Sequence, residues 1–134
     1  MADITAVPDT SEFDISLPTI TDLSAKQYHF VKIDTNEQVV ICGANDKNAG
    51  ILQNAPLGTS TSKKIAIVRT GGLSKLKIAE TVAFGKFLTP TADGDGEVCD
   101  AAGEEYGAKA LTSGEDNDLI AVIVCHGEVE ATDA

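Results

Sequence analysis

The chain has 134 residues, 10 of them basic and 21 acidic, for a formal net charge of −11. That length suits one domain and is short for two. It also buries enough surface for a core without disulfides or metal. So acidic a balance lacks the clustered Lys and Arg that phosphate contacts need, so nucleic acid is not an expected partner.

In chain order, residues 1–27 come first and differ from the rest. They hold Pro8, Pro18 and many Ser, Thr and Asp, with isolated apolar residues Phe13, Ile15, Leu17, Ile20 and Leu23. Pro18 argues against a central strand, so this segment reads as an extended N-terminal arm carrying apolar anchors. The plainer reading is a frayed terminus. From Tyr28 onward, short apolar runs are broken by Gly, Asn and Asp. Tyr28–Ile33 and Gln38–Cys42 flank Asp34-Thr35-Asn36-Glu37, which reads as a hairpin turn. Further strands are predicted at Gly50–Ala55, Lys63–Thr70, Leu73–Ile78 and Phe84–Leu88. The turns between them are Pro56-Leu57-Gly58, Gly71-Gly72 and a looser stretch at Ala79–Ala83. The last strands are Glu97–Asp100, Tyr106–Leu111 and Leu119–His126, with turns at Asp93-Gly94-Asp95-Gly96 and Ser113–Asp118. No long stretch keeps a helical period. Aromatics are only 4% of the chain and Trp is absent, so the core is built from Ala, Val, Ile and Leu, which suit half-buried strands.

A weak repeat is visible. Gly50-Ile-Leu-Gln-Asn-Ala55 precedes Ile65-Ala-Ile-Val68 by about the interval that separates Gly107-Ala-Lys-Ala-Leu111 from Leu119–Val124. Each later strand runs into glycine, Gly71 in one copy and Gly127 in the other. The expected fold is therefore all-β: a small β-barrel or sandwich with weak internal duplication, preceded by the extended arm. The expected organisation is an arm over 1–27 and a single β-domain over 28–134, whose last residues, 128–134, form an acidic tail.

Charge is uneven along the chain: residues 1–27 carry net −4, residues 28–85 net +3 and residues 86–134 net −10. A basic centre beside an acidic C-terminal half suits head-to-tail association of copies, with Lys63, Lys64, Arg69, Lys75 and Lys77 as the basic contacts. The plainer reading is that acidic loops maintain solubility. Met1-Ala2-Asp3 opens neither the basic nor the apolar region of a signal peptide, and the run Leu119–Cys125 is far too short to span a bilayer. Neither export nor membrane contact is expected. The odd set Cys42, Cys99 and Cys125 reads as free thiols of a protein made in a reducing cytosol.

Catalytic patterns are missing. Gly58-Thr-Ser-Thr-Ser-Lys63-Lys64 lacks the second glycine and the trailing Ser or Thr of a phosphate loop, so a polar hairpin loop is expected there. Asp93-Gly-Asp95-Gly-Glu97 places carboxylates at alternate positions but lacks the distant Glu of a calcium loop. Cys125-His126 with His29 lacks the paired ligand spacing of zinc sites, and neighbours in a strand point to opposite faces. No catalytic residue, cofactor or metal site is expected.

The order of motifs carries a resemblance. Asp22-Leu-Ser-Ala-Lys-Gln-Tyr-His-Phe-Val-Lys-Ile33 resembles the opening segment of the small head-decoration (cement) proteins of tailed-phage capsids, where a polar arm leads into a strand ending Phe-Val-Lys. Gly50-Ile-Leu-Gln-Asn-Ala-Pro56, Lys64-Ile-Ala-Ile-Val68 and Gly85-Lys-Phe-Leu-Thr89 resemble the following strands. Asp93-Gly-Asp-Gly-Glu-Val98, Tyr106-Gly-Ala-Lys-Ala110 and Ile120-Ala-Val-Ile-Val124 complete the series. The resemblance spans residues 22–126. It departs at Lys86, where an acidic residue is expected after Gly85, and residues 1–21 match no part of the pattern.

The resemblance implies a β-domain on the outer surface of an expanded phage head, a homotrimer bridging subunits of the major capsid protein and stabilising the shell. Its place would be the virion, after synthesis in the bacterial host cytoplasm. In that role the arm residues Phe13, Ile15, Leu17, Ile20 and Leu23 would dock on a capsid subunit or a sister protomer. The alternative is a small non-enzymatic module binding a ligand or glycan, for which two Tyr, four Phe and no Trp are a poor supply of stacking surfaces.

Overall fold

The computed structural model describes residues 13–130. Among them the chain forms no helix and nine strands: β1 (Phe13–Thr19), β2 (Phe30–Ile33), β3 (Val39–Ile41), β4 (Gly50–Leu52), β5 (Lys64–Lys77), β6 (Phe87–Pro90), β7 (Gly96–Val98), β8 (Glu105–Ala110) and β9 (Leu119–Glu128). They hydrogen-bond in the order β3-β2-β4-β5-β9-β8-β6-β7, with β1 also on β5, as one curled antiparallel sheet, a half-barrel. The expected all-β fold is therefore present. Glu128, expected in the acidic tail, instead ends β9 opposite Glu105, while residues 131–134 of that tail and 1–12 of the expected arm lie outside the described residues.

Two halves of the sheet repeat one pattern, β3-β2-β4-β5 and β7-β6-β8-β9. The first hairpin closes with Asp34 N–Gln38 O and Glu37 N–Asp34 O, and the second with Thr91 N–Asp95 O and Gly94 N–Thr91 O. Cys42 N donates to Phe30 O as Cys99 N does to Phe87 O. Leu52 N donates to His29 O as Ala110 N does to Lys86 O. The duplication is thus carried by backbone geometry, with a register that differs from the sequence reading. Gly50 corresponds to Ala108, through Val31↔Gly50 and Leu88↔Ala108, rather than to Gly107. The β8–β9 pairing is irregular between Tyr106 and Ala108, where Cys125 and His126 of β9 together oppose Gly107.

Two expectations are corrected. Gly71-Gly72 is not a turn: it lies inside the 14-residue β5. The N-terminal part of β5 pairs with β1 and β4, and residues 72–77 pair with β9. Gly72, at φ 92°, lets the strand change sheet partners without reversing. Residues 13–19 are not an unpacked arm either, since they pair with β5 from Phe13↔Gly71 to Thr19↔Lys64. Pro18 is compatible because β1 is an edge. Gln53 N donates to Ile67 O, so Ile67 turns its backbone groups to β4. By alternation Ala66 and Val68 turn theirs to β1, leaving Asp14, Ser16 and Pro18 facing the open side.

Each half buries one face of its strands. Val31, Val39, Leu52, Ala66 and Val68 pack with Leu23, helped by the half-buried Leu17. Leu76, Leu88, Ala108, Ala110, Ile120, Val122 and Val124 line the second half's core. Phe30 and Ile51, from the opposite face of the first half, insert into that second core. The first half thus packs back to front on the second.

At this junction His29 is 5% exposed. Its Nδ1 lies 3.1 Å from Gln27 O, and Nε2 is 4.0 Å from Asp95 Oδ1. Phe30 N–Gly94 O (2.7 Å) and Lys26 Nζ–Asp93 O (3.2 Å) hold the same turn. Burial holds the His29 pKa below its usual 6.5, outweighing the opposing pull of Gln27 O and Asp95. An unfolded chain therefore takes up a proton here before the folded one does. The stabilisation from neutral His29 is complete above pH 6.5 and declines as pH falls from there toward the lowered value. Urea titrations across this range are expected to show falling stability, a slope that His29→Asn flattens. Asp46, held below 3.8 first by its hydrogen bond from Lys32, acts in a separate, more acidic window.

Candidate interaction surfaces

The β1 residues differ in role. Ile15, Leu17 and Thr19 share the face of their partners Val68, Ala66 and Lys64. Burial rises along them: Ile15 is 37% exposed, Leu17 half-buried and Thr19 fully buried. Thr19 Oγ1 donates to Val39 O at 2.7 Å. Phe13 is 45% exposed and lies across Gly71. Ile20 is 39% exposed, but Leu23 is 1% exposed and belongs to the core. Of the five predicted anchors, Phe13, Ile15 and Ile20 are accessible to a partner. Leu23 is a correction: its isolated position in a polar stretch hid the fact that it caps the first half's inner face.

The three outer strand edges also differ. At β7, Val98 N donates to Glu80 Oε2 and Gly96 O accepts from Ala79 N. At β3, Val39 O accepts from Thr19. The β1 edge at Asp14 and Ser16 has no such in-chain cover among the described residues, so it is the edge open to an added strand.

The predicted basic set does not form one cluster. Lys63 and Lys64 are exposed where β5 begins, while Lys75 and Lys77 lie near its other end. Extended chain places Lys64 and Lys75 roughly 35 Å apart. Arg69 lies between them and grips Asp14 through Nε–Oδ1 (2.8 Å) and Nη2–Oδ2 (3.1 Å). This pins β1 to β5 within the chain, so the predicted inter-protomer role of Arg69 gives way to an internal one. Lys75 Nζ sits 5.7 Å from the Tyr28 ring centre. The sequence reading missed Lys109, which the β5–β9–β8 register carries onto the same face as Lys75 and Lys77.

The reactive side chains stand apart. Burial pushes the Cys42 and Cys99 thiols up to about 12, keeping both protonated at neutral pH, where they are poor nucleophiles and ligands. No group of three or more His, Cys, Asp or Glu among the described residues is arranged to hold a metal ion. Thr59 and Ser62 bond to each other within the loop that superficially matched a phosphate loop. An open groove of about 340 Å³ is lined by Asn48, Glu105, Tyr106, His126, Gly127 and Glu128. The Lys47–Glu105 ion pair (3.4 Å) involves one of its lining carboxylates.

No family model matches the sequence, and no curated protein matches it. Among solved structures, the chain is similar to the head fiber gp8.5 N base of bacteriophage phi29. The TM-score is 0.71 at 10% identity, over 89% of this chain and 100% of that one. At that identity the likeness establishes a shared fold: the whole of the phage domain overlays on this half-barrel.

Proposed function

We propose that the protein is a non-enzymatic structural component of a tailed-phage head, binding the outer surface of the expanded capsid. In this reading it stabilises the shell by bridging subunits of the major capsid protein, as a trimer whose three attachments reinforce one another. The observation that carries the reading is the fold shared over the full length of a head fiber base domain. The ordered motifs over residues 22–126 point to the same kind of particle. The open β1 edge adds a means of attachment. An extended capsid segment can add to that edge beside Asp14 and Ser16, with Phe13 and Ile15 filling pockets on the partner.

The test is co-sedimentation with expanded, undecorated capsids from the protein's source. The expected result is saturation at a stoichiometry matching the three-fold sites of the lattice. Absence of binding rejects the proposal. Phe13→Ser with Ile15→Ser is expected to lower stability by about 2–3 kcal/mol, since each side chain is more than half buried. The variant remains folded by circular dichroism but binds capsids about tenfold or more weakly. Unchanged binding by this variant removes β1 from the attachment.

A further inference from the structure

The outer face of the second half carries a pattern that the fold does not require. The register aligns Leu73 (β5), Ile123 (β9), Lys109 (β8) and Phe87 (β6) as direct neighbours on one face. Beside this row lie Lys75↔Ala121 and then Lys77↔Leu119. Leu111, whose N–H bonds Ala121 O, continues the face beyond β8. Leu119 is 51% exposed, Leu73 48%, Ile123 37% and Leu111 36%. The charged residues at these register positions are all lysines, Lys75, Lys77 and Lys109, in a chain of net charge −11.

The internal repeat supplies a control for this face. In its counterpart in the first half, the central pair Phe30↔Ile51 is completely buried because the second half packs over it. The equivalent pair here, Phe87↔Lys109, has no such cover among the described residues. Where the first half has Gln53, whose side chain bonds Ile51 O and Ser74 Oγ, the second has exposed Leu111. One scaffold thus uses this face once as an internal interface and leaves it apolar and basic the second time.

From this arrangement we infer that the outer face of the β5–β9–β8–β6 sheet is a second protein-binding surface, and that its partner is a protein surface presenting carboxylates around apolar side chains. The apolar positions provide the contact area. The lysines select an acidic partner and repel a basic one. The inference rests on the head-protein reading, under which the partner is a capsid subunit, and it places a second attachment on a different face from the β1 edge.

The experiment compares the full chain with Lys75→Glu/Lys77→Glu/Lys109→Glu and with Leu119→Ser/Ile123→Ser, using expanded, undecorated capsids at low and high salt. Circular dichroism confirms that each variant is folded. Both variants are expected to bind about tenfold or more weakly. The wild-type affinity is expected to fall with salt, and that of the charge-reversed variant to lose this dependence. Wild-type binding matched by both variants overturns the inference and leaves the head-protein reading standing; no binding by any protein overturns both. If sedimentation equilibrium without capsids shows that the variants merely dissociate a homo-oligomer, a second copy occupies the face and the inference fails.

Discussion

Phe30→Ala is expected to lower the free energy of unfolding by about 3–5 kcal/mol, the range for emptying a fully buried aromatic site. Phe87→Ala, at the equivalent position of the second half, should cost only about 1–2 kcal/mol. The two phenylalanines begin matching strands and accept matching backbone bonds from Cys42 and Cys99. Their surroundings decide the difference. Phe30 is 0% exposed, in one cluster with Ile51, Leu76, Ile120 and Val122. Phe87 is half-buried, its ring centre 4.1 Å from that of Tyr106 and 5.7 Å from Lys109 Nζ. A domain with a total stability of about 5–15 kcal/mol has little margin for the first loss. Should Phe30→Ala not fold, Phe30→Leu keeps most of the volume and should cost about 1.5 kcal/mol. Equal losses at Phe30 and Phe87 in urea titrations would contradict the back-to-front packing of the halves.

Gly50→Ala should be comparably severe, at about 3–5 kcal/mol from steric overlap and backbone strain together. Gly50 sits at φ 151°, and a Cβ there would lie 2.0 Å from Arg69 O and 2.9 Å from Arg69 C. Those are backbone atoms of the central strand and cannot move aside without separating β4 from β5. Gly71→Ala is the matched control within β5. A Cβ there meets only the Phe13 ring, at 3.5 Å, an ordinary contact. Its effect should stay within about 1 kcal/mol and can be stabilising, since alanine reduces the freedom of the unfolded chain. Denaturation midpoints of the two variants decide the matter: a Gly50→Ala protein as stable as Gly71→Ala would mean that β4 and β5 are not in close register.

Much of the fold was legible before any coordinates. Alternating apolar residues identified the strands around Phe30, Val39, Ile51, Leu88, Val98 and Ile120, because a half-buried strand writes its period into the chain. Turn chemistry located both hairpins: Asp34 Oδ1 accepts from Asn36 N and Gln38 N, and Gly94 takes φ 86°. Even the duplication was visible, since two similar sheets select similar side chains. Phe13, Ile15 and Ile20 stand out in the sequence as apolar residues in an otherwise polar stretch, and the fold leaves them exposed. The pairing of Phe13 and Ile15 with β5 was not legible, because an edge strand alternates weakly and tolerates proline.

Tertiary structure decided the rest. Glycine pairs mark turns in isolation, yet Gly71-Gly72 continues a strand because β1, β4 and β9 hold β5 on both sides. Leu23 looks like an exposed anchor until residues distant in sequence close over it. Arg69 and Lys75 look equivalent in the chain, but Asp14 binds the first while the second reaches the outer face beside Ala121. The cluster of Lys75, Lys77 and Lys109 is written in no local window, since it exists only through the register of β5, β9 and β8. Periodicity reports which residues prefer burial. Which strands pair, and which face remains uncovered, depends on contacts between residues far apart in the chain, and those are set by the packing of the two halves.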